Sequence, residues 1–264
     1  MPGENFVQLV ELMRRLRAPG GCPWDREQTF QTIKPYLLEE TYEVVEAIDT
    51  QDFTALKDEL GDLLLQVVFF SQMAAEAGHF TVDEVVDAIH TKLVRRHPHV
   101  FGDKTLETPG QVKKQWSEIK EEERRQAAES NGQDYQPRKS ILDGVSKAQP
   151  ALMEAFQITD RAAFVGFDWP NVDGIVAKME EELEELKDAR ETGGIEEEVG
   201  DLLFTAVNLA RGFGLEPETV LRKANRKFRE RFTWMEARLA ERNRKPSEAT
   251  LEEMEELWQQ SKQR

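Results

Sequence analysis

The feature that most constrains the fold of this chain is a pattern of acidic residues that occurs twice. Each copy is an E-x-x-E motif followed by an E-x-x-D motif. Residues three apart on a helix lie on one face, so each motif predicts two carboxylates on the same side of a helix. Two such helices packed side by side would bring four carboxylates together. The residues are Glu40, Glu43, Glu59 and Asp62 in the first copy, and Glu182, Glu185, Glu198 and Asp201 in the second.

An apolar stripe at helical spacing runs beside each acidic motif, for example Val44 and Ile48 beside Glu40 and Glu43. Carboxylates at the rim of a buried seam repel one another, and their pKa values rise. A hard divalent cation removes the repulsion. Ligand sets made only of oxygen favour Mg²⁺, with Mn²⁺ as a possible substitute. The alternative is that these are solvated faces of acidic helices, but the recurrence of matched pairs favours a metal site.

The chain is predicted to be all-α, because no segment alternates with period two for long enough to form a strand. Pro35 is placed in the first turn of a helix that ends near Asp49. Thr81 and Glu84 form a predicted capping box, as do Thr250 and Glu253. The predicted helices cover about 5–16, 35–49, 54–77, 81–97, 109 onward, 148–166, 173–191, 195–213, 217–242 and 250 onward. The segments 22–25 and 167–170 are predicted loops.

The two halves match beyond the carboxylates, which indicates an internal duplication. Residue pairs recur at separations of 135–145 positions. Residues 1–130 are predicted to form an N-terminal helical domain, 131–147 a polar linker, and 148–264 a C-terminal domain that carries the catalysis. The matched pairs are Trp24 with Trp169, Lys92 with Lys227, Arg96 with Arg231, and Trp116 with Trp258.

Several polar and aromatic residues of the second half are candidates for contacting a substrate. Lys227 and Arg231 lie four apart on one helix face and suit phosphate oxygens; alternatively, they form salt bridges on a solvated helix. Trp258 is either a stacking surface for a base or a core residue. Asn208 is polar within an apolar run, so it needs a partner, either a substrate or a neighbouring backbone group.

Composition excludes several classes of function. The chain has 264 residues and a net charge of −16, so DNA or RNA is a poor partner. Its one cysteine, Cys22, precludes an intrachain disulfide and suits a reducing cytoplasm. No signal peptide is recognised, and the most apolar run, residues 63–70, is too short to span a membrane. There is no P-loop motif and no Cys/His zinc pattern.

The sequence resembles the MazG family of nucleoside triphosphate pyrophosphohydrolases along nearly its full length. The resembling segments, besides the acidic motifs, are Gly21-Cys22-Pro23-Trp24-Asp25, Arg95-Arg96-His97-Pro98-His99-Val100-Phe101, Val165-Gly166-Phe167-Asp168-Trp169 and Lys223-Ala224-Asn225-x-Lys227-Phe228.

The resemblance implies an all-α homodimer that uses Mg²⁺ to cleave a nucleoside triphosphate between its α and β phosphates. The metal ligands would be Glu182, Glu185, Glu198 and Asp201. The nucleotide contacts would include Lys178, residues 227–231 and Trp258, and Asn208 and Asn225 join them as candidates. The first half keeps Glu40, Glu43, Glu59 and Asp62 as candidate metal ligands.

The residue types suggest a division of labour and a mechanism. The first half has Phe69 and His90 where the second has Asn208 and Asn225, so we expect the second half to carry most of the turnover. Glu181 or Glu182 is the candidate general base, Glu185 helps to hold the metal, and Lys227 and Arg231 would bind the departing pyrophosphate. Two alternatives stay open: a helical interaction module without catalysis, and a phosphohydrolase that attacks another anhydride bond.

Overall fold

The computed structural model describes residues 2–132, 134–137 and 139–263, and within them it contains helices and no β-strand. The chain divides into two compact units, Met1–Tyr135 and Gln136–Arg264. The predicted all-α, internally duplicated fold is confirmed. No helix among the described residues combines the length and the apolarity that a membrane span requires.

The first unit begins with a long helix and a short one, followed by the two helices that carry the first acidic motifs. These two, α3 and α4, pack against each other, and α1 packs on α4. The helices are α1 (Pro2–Arg17), α2 (Pro23–Glu27), α3 (Phe30–Thr50), α4 (Phe53–Glu76), α5 (Val82–Arg96), α6 (Pro98–Phe101) and α7 (Pro109–Ser130).

The second unit is built around an equivalent acidic pair, α9 and α10, on which α8 packs. Two further helices, α11 and α12, contact each other, and α11 also contacts α8 and α10. The helices are α8 (Ala151–Phe164), α9 (Val172–Thr192), α10 (Ile195–Gly212), α11 (Pro217–Glu241) and α12 (Leu251–Ser261), with a 3₁₀ turn at Pro246–Glu248.

Local sequence signals fix where several of these helices begin and end. The capping boxes predicted from Thr81 and from Thr250 are both present, and each threonine side chain accepts from the backbone N–H three residues later. Gly78 follows the end of α4 with φ +71°, a left-handed conformation that favours glycine. These predicted boundaries are confirmed.

Two local predictions are wrong. The segment 22–25 is predicted as a loop, but Pro23–Glu27 form the short helix α2, since proline is well suited to a first helical turn. Pro35 does not start α3 but lies inside it. Thr29 and Thr32 form a capping box that starts this helix at Phe30, more than a turn before the proline.

The described residues between α7 and α8 form no regular helix, but some of them are fixed by hydrogen bonds to α8. Arg161 of α8 donates hydrogen bonds to the backbone oxygens of Ile141 and Asp143, each at 2.9 Å. Gln133 and Arg138 of the predicted linker lie outside the described residues. The residues around 141–144 therefore associate with α8.

Each unit has its own apolar core. In the first, Met13 of α1, Ile33 of α3 and Val68 of α4 are buried against one another. In the second, Met235 and Leu239 of α11 bury Leu257 of α12. The second cluster fixes α12, which carries Trp258, against α11, which carries Lys227 and Arg231.

Leu239→Ala tests this core, because Leu239 is 0% exposed and its truncation leaves a cavity. We expect a loss of about 2–5 kcal/mol in the free energy of unfolding of the second unit. Leu251→Ala is the matched control, since Leu251 is 74% exposed, and its effect should stay below about 0.5 kcal/mol. Denaturant titration followed by hydrogen exchange in α11 and α12 makes the measurement. Equal effects of the two variants would contradict the assignment of this core.

Candidate active site

The second unit brings three of its four predicted metal ligands together. Glu182 and Glu185 lie on α9 and Glu198 on α10, and each offers a carboxylate oxygen within 4.8 Å of the others. A turn of two glycines, Gly193 and Gly194, both with positive φ, returns α10 against α9. The sequence therefore folds into an antiparallel pair that gathers the acidic residues at one edge.

Glu182 is the buried member of this cluster, with 4% exposure. Its Oε1 lies 2.9 Å from the ammonium of Lys178, while its Oε2 is buried and has no hydrogen-bond partner among the described residues. A buried carboxylate oxygen without a partner is costly. A cation held by Glu185 and Glu198 would compensate the charge of this oxygen.

Lys178 lies among the carboxylates. Its ammonium is 2.8 Å from Glu181 and 3.9 Å from Glu185. Hydrogen bonds, first to Glu181 and then to Glu182, raise the pKa of Lys178. The pKa of Glu198 is raised by burial and then by the charges of Glu185, Glu182 and Asp201. The site is thus strongly negative and holds one lysine that remains charged.

The first unit repeats the cluster, but among the described residues no lysine or arginine forms an ion pair with it. Oxygens of Glu40, Glu43 and Glu59 lie within 4.8 Å of one another. Burial and then the charge of Asp62 raise the pKa of Glu40, and burial followed by the charge of Glu43 raises that of Glu59. The residue equivalent to Lys178 is Tyr36, whose ring packs 5.9 Å from that of Trp24.

The fourth predicted ligand of each set, Asp62 or Asp201, is not among the described residues whose oxygens meet within 4.8 Å. Both are exposed, on α4 and α10 respectively. Their charges nevertheless raise the pKa values of the glutamates nearby. Each aspartate therefore lies at the border of its cluster.

An aromatic and basic surface lies on α11 and α12 of the second unit. The Arg231 guanidinium carbon is 5.9 Å from the centroid of the Trp258 ring, and the rings of Phe228 and Trp258 are 5.1 Å apart. Lys227 and Asn225 are exposed on the same helix as Arg231. Neither Lys227 nor Arg231 forms an ion pair with another residue of the described part of the chain, so both cations are open to an anion.

The corresponding residues of the first unit bind each other instead. The indole N–H of Trp116 donates to the backbone oxygen of Arg96 at 2.8 Å, and its ring contacts that of His97. Glu123 binds Arg96 at 2.6 Å and also binds Arg95. The tryptophan and the arginine that are equivalent to Trp258 and Arg231 are therefore engaged within the unit.

The side chain of Asn208 forms hydrogen bonds within the protein. It is 2% exposed, and it donates to the backbone oxygen of Phe204 at 3.4 Å. Arg211 donates to its amide oxygen at 3.3 Å and to Asp168 at 2.9 Å. Of the two partners considered from sequence, the neighbouring backbone is the one present. Arg211 was missed, although its position three residues after Asn208 on a helix was a usable signal.

Comparison with known proteins places both halves among pyrophosphohydrolases. The family model described as "MazG nucleotide pyrophosphohydrolase domain" matches residues 28–101. The model described as "Phosphoribosyl-ATP pyrophosphohydrolase" matches residues 166–228. The two matches cover the two acidic helix pairs.

Relatives align over nearly the whole chain. "Nucleoside triphosphate pyrophosphohydrolase/pyrophosphatase MazG" of Thermotoga maritima is 46% identical over 98% of this chain and 96% of its own length. "Nucleoside triphosphate pyrophosphohydrolase" of Escherichia coli K12 is 49% identical over 97% of this chain and 96% of its own length. A Bacillus subtilis protein described as uncharacterized is 40% identical over 98% of this chain and 52% of its own length. The duplicated carboxylate clusters and these full-length similarities together show that the chain belongs to the MazG family of nucleoside triphosphate pyrophosphohydrolases.

Proposed function

We propose that the second unit hydrolyses nucleoside triphosphates at the bond between the α and β phosphates, releasing a nucleoside monophosphate and pyrophosphate. The observation that carries the proposal is the unpartnered buried oxygen of Glu182 beside Glu185 and Glu198. The names of the full-length relatives support the substrate class, and both matching family models are named for pyrophosphohydrolases.

The donor set of this site fits Mg²⁺, with Mn²⁺ as a substitute, because the candidate ligands are all carboxylate oxygens. Glu182, Glu185 and Glu198 would hold the ion, with Asp201 at the border of the cluster. When bound, the metal would supply charge neutralisation for phosphate oxygens and make water a better nucleophile.

The side chains around the cluster suit the other steps of the hydrolysis. Glu181 is exposed and, although one of its oxygens binds Lys178, its carboxylate would accept the proton of the attacking water, while buried Glu182 would hold the cation. Lys178 already lies at the carboxylates and would face phosphate oxygens of the substrate. No covalent nucleophile is required.

The surface on α11 and α12 suits the two ends of the nucleotide. Lys227 and Arg231 carry open cations for the departing pyrophosphate, and Trp258 offers a ring on which a base can stack. Asn225 is exposed on the same helix as Lys227 and would contact the substrate directly. Asn208 is buried, so it would influence the site through its hydrogen bonds within α10. The corresponding groups of the first unit are engaged internally, which supports turnover mainly in the second unit.

We further propose a homodimer acting in the cytoplasm. The acidic helix pairs expose large apolar residues, including Leu38 and Leu60 in the first unit and Leu183 and Leu203 in the second. A group of neighbouring exposed apolar side chains on a protein surface commonly marks an interface with another protein. The single cysteine, Cys22, is compatible with a reducing compartment.

Removal of the metal tests the reaction itself. Pyrophosphate release from a panel of nucleoside triphosphates should require Mg²⁺ and stop in excess chelator, because the carboxylates alone cannot neutralise the phosphate oxygens. Product analysis should yield monophosphate and pyrophosphate. Undiminished release in chelator would refute metal dependence. Diphosphate with inorganic phosphate would show attack on another bond, and no product from any triphosphate would favour the non-catalytic module.

Matched substitutions in the two units test the division of labour. Glu185→Ala and Asp201→Ala should lower kcat about a thousandfold, because each removes a charge from the catalytic metal cluster. Glu43→Ala and Asp62→Ala make the same chemical changes at the equivalent positions and should leave most of the activity. Steady-state kinetics on variants that retain their oligomeric state decides. Greater damage from the first-unit pair would reverse the assignment.

The proposed homodimer is tested by measuring the mass of the protein in solution. Sedimentation velocity at micromolar concentration should give about twice the mass of one chain, because a dimer would cover the exposed apolar faces. Leu203→Glu, at a residue that is 58% exposed on α10, should shift the protein toward monomer. Leu251→Glu on α12 is the control and should not. A wild-type monomer with full activity would count against the dimer.

A further inference from the structure

A cavity of about 390 Å³ lies in the first unit between the end of α5 and α7. Arg95 and Lys104 line it on one side, and Gln115, Glu118 and Ile119 of α7 on the other. Its volume is within the range of small-molecule pockets. None of its lining residues belongs to either carboxylate cluster.

Gln115 is the unusual residue of this cavity. It is only 5% exposed, yet neither its amide nitrogen nor its amide oxygen has a hydrogen-bond partner among the described residues. Buried amides are nearly always paired, because the loss of hydrogen bonds to water must be compensated. The carboxamide offers two donors and one acceptor side by side, so it matches a planar edge with the complementary pattern.

In the second unit the residue equivalent to Gln115 is apolar and buried. Gln115 directly precedes Trp116, just as Leu257 directly precedes Trp258. Leu257 belongs to the buried apolar core of the second unit. At the equivalent position the first unit has a buried amide beside a cavity, which packing alone does not require.

The charges around the cavity favour an anionic ligand. Glu123 is already shared by Arg95 and Arg96, so this trio carries a net positive charge. Glu122 and Glu118 also line the cavity. Glu122 is bound by Arg125 at 2.6 Å, whereas Glu118 forms no ion pair with a described residue, and its single charge is outnumbered by the trio together with Lys104. The exposed ammonium of Lys104 forms no ion pair with any residue that the structure describes. A phosphate placed near Lys104 and Arg95 would meet two cationic donors.

We propose that this cavity binds a nucleoside phosphate, with the edge of the base paired to the Gln115 carboxamide and the phosphate held by Lys104 and Arg95. A glutamine carboxamide pairs with adjacent donor and acceptor groups on a base, as it does with adenine in nucleic acids. Ile119 supplies an apolar surface for the ring. The site is distinct from the proposed catalytic unit and needs no metal.

Equilibrium binding in chelator tests the proposal without hydrolysis. The full-length protein is titrated with AMP, GMP, CMP and UMP, and with ATP to distinguish a triphosphate from a monophosphate as the ligand. Gln115→Leu restores the residue type of the second unit and should weaken binding of the preferred nucleotide about tenfold or more. Lys104→Ala should also weaken nucleotide binding. Because Lys104 is exposed, this variant tests the proposal even if Gln115→Leu fails to fold.

The controls separate this cavity from the proposed catalytic site. Trp258→Ala should leave the binding intact, and Gln115→Leu should leave pyrophosphate release at saturating triphosphate unchanged. Ribose 5-phosphate, which lacks the base, should bind more weakly than the preferred nucleotide. The proposal is overturned if no nucleotide binds at millimolar concentration, if ribose 5-phosphate binds equally well, or if binding is lost in Trp258→Ala and kept in the two first-unit variants. These outcomes are independent of whether the second unit hydrolyses triphosphates.

Discussion

Repulsion between carboxylates at the edge of an apolar helix seam is the constraint on which the rest of this structure depends. The seam of each helix pair is held by apolar burial, for example Ile175 of α9 and Val207 of α10. At its edge three glutamates approach one another, and burial together with their mutual charge raises the pKa of Glu198 and of Glu40. Apolar packing of the two helices therefore brings negatively charged carboxylates together, which is electrostatically unfavourable. A bound cation would replace this repulsion with attraction between the cation and the carboxylates.

The duplicated plan has diverged through the neighbours of the clusters rather than through the clusters themselves. Both units keep three glutamates whose carboxylate oxygens lie within 4.8 Å of one another. Lys178 accompanies the second cluster, whereas Tyr36 takes its place in the first and packs against Trp24. Likewise Arg231 remains open beside Trp258, but Arg96 is bound by Glu123. The two units therefore share the carboxylate geometry and differ in the cations beside it.

Short-range patterns carried most of what could be predicted from the sequence. Spacings of three residues placed the paired glutamates, and threonine–glutamate pairs placed helix starts at Thr81 and Thr250. Pro35 was misplaced because the competing cap at Thr29 lies outside the periodic apolar pattern. Asn208 accepts from Arg211, which lies three residues away, and Arg211 in turn binds Asp168, which is 43 residues from it in sequence. The first contact has a local spacing, whereas the second has no local signature.

The lysine among the second-unit carboxylates explains how one cluster can be both a metal site and a phosphate site. A cluster of three glutamates alone would repel a triphosphate that arrives without its cation. Lys178 reduces that repulsion, and because its pKa is raised it stays charged across the neutral range. Among the described residues no lysine or arginine forms an ion pair with the first cluster, so a triphosphate approaching it would meet the repulsion of its carboxylates undiminished. Two clusters with the same carboxylate geometry can therefore differ in what they attract, according to the charge of a neighbouring side chain.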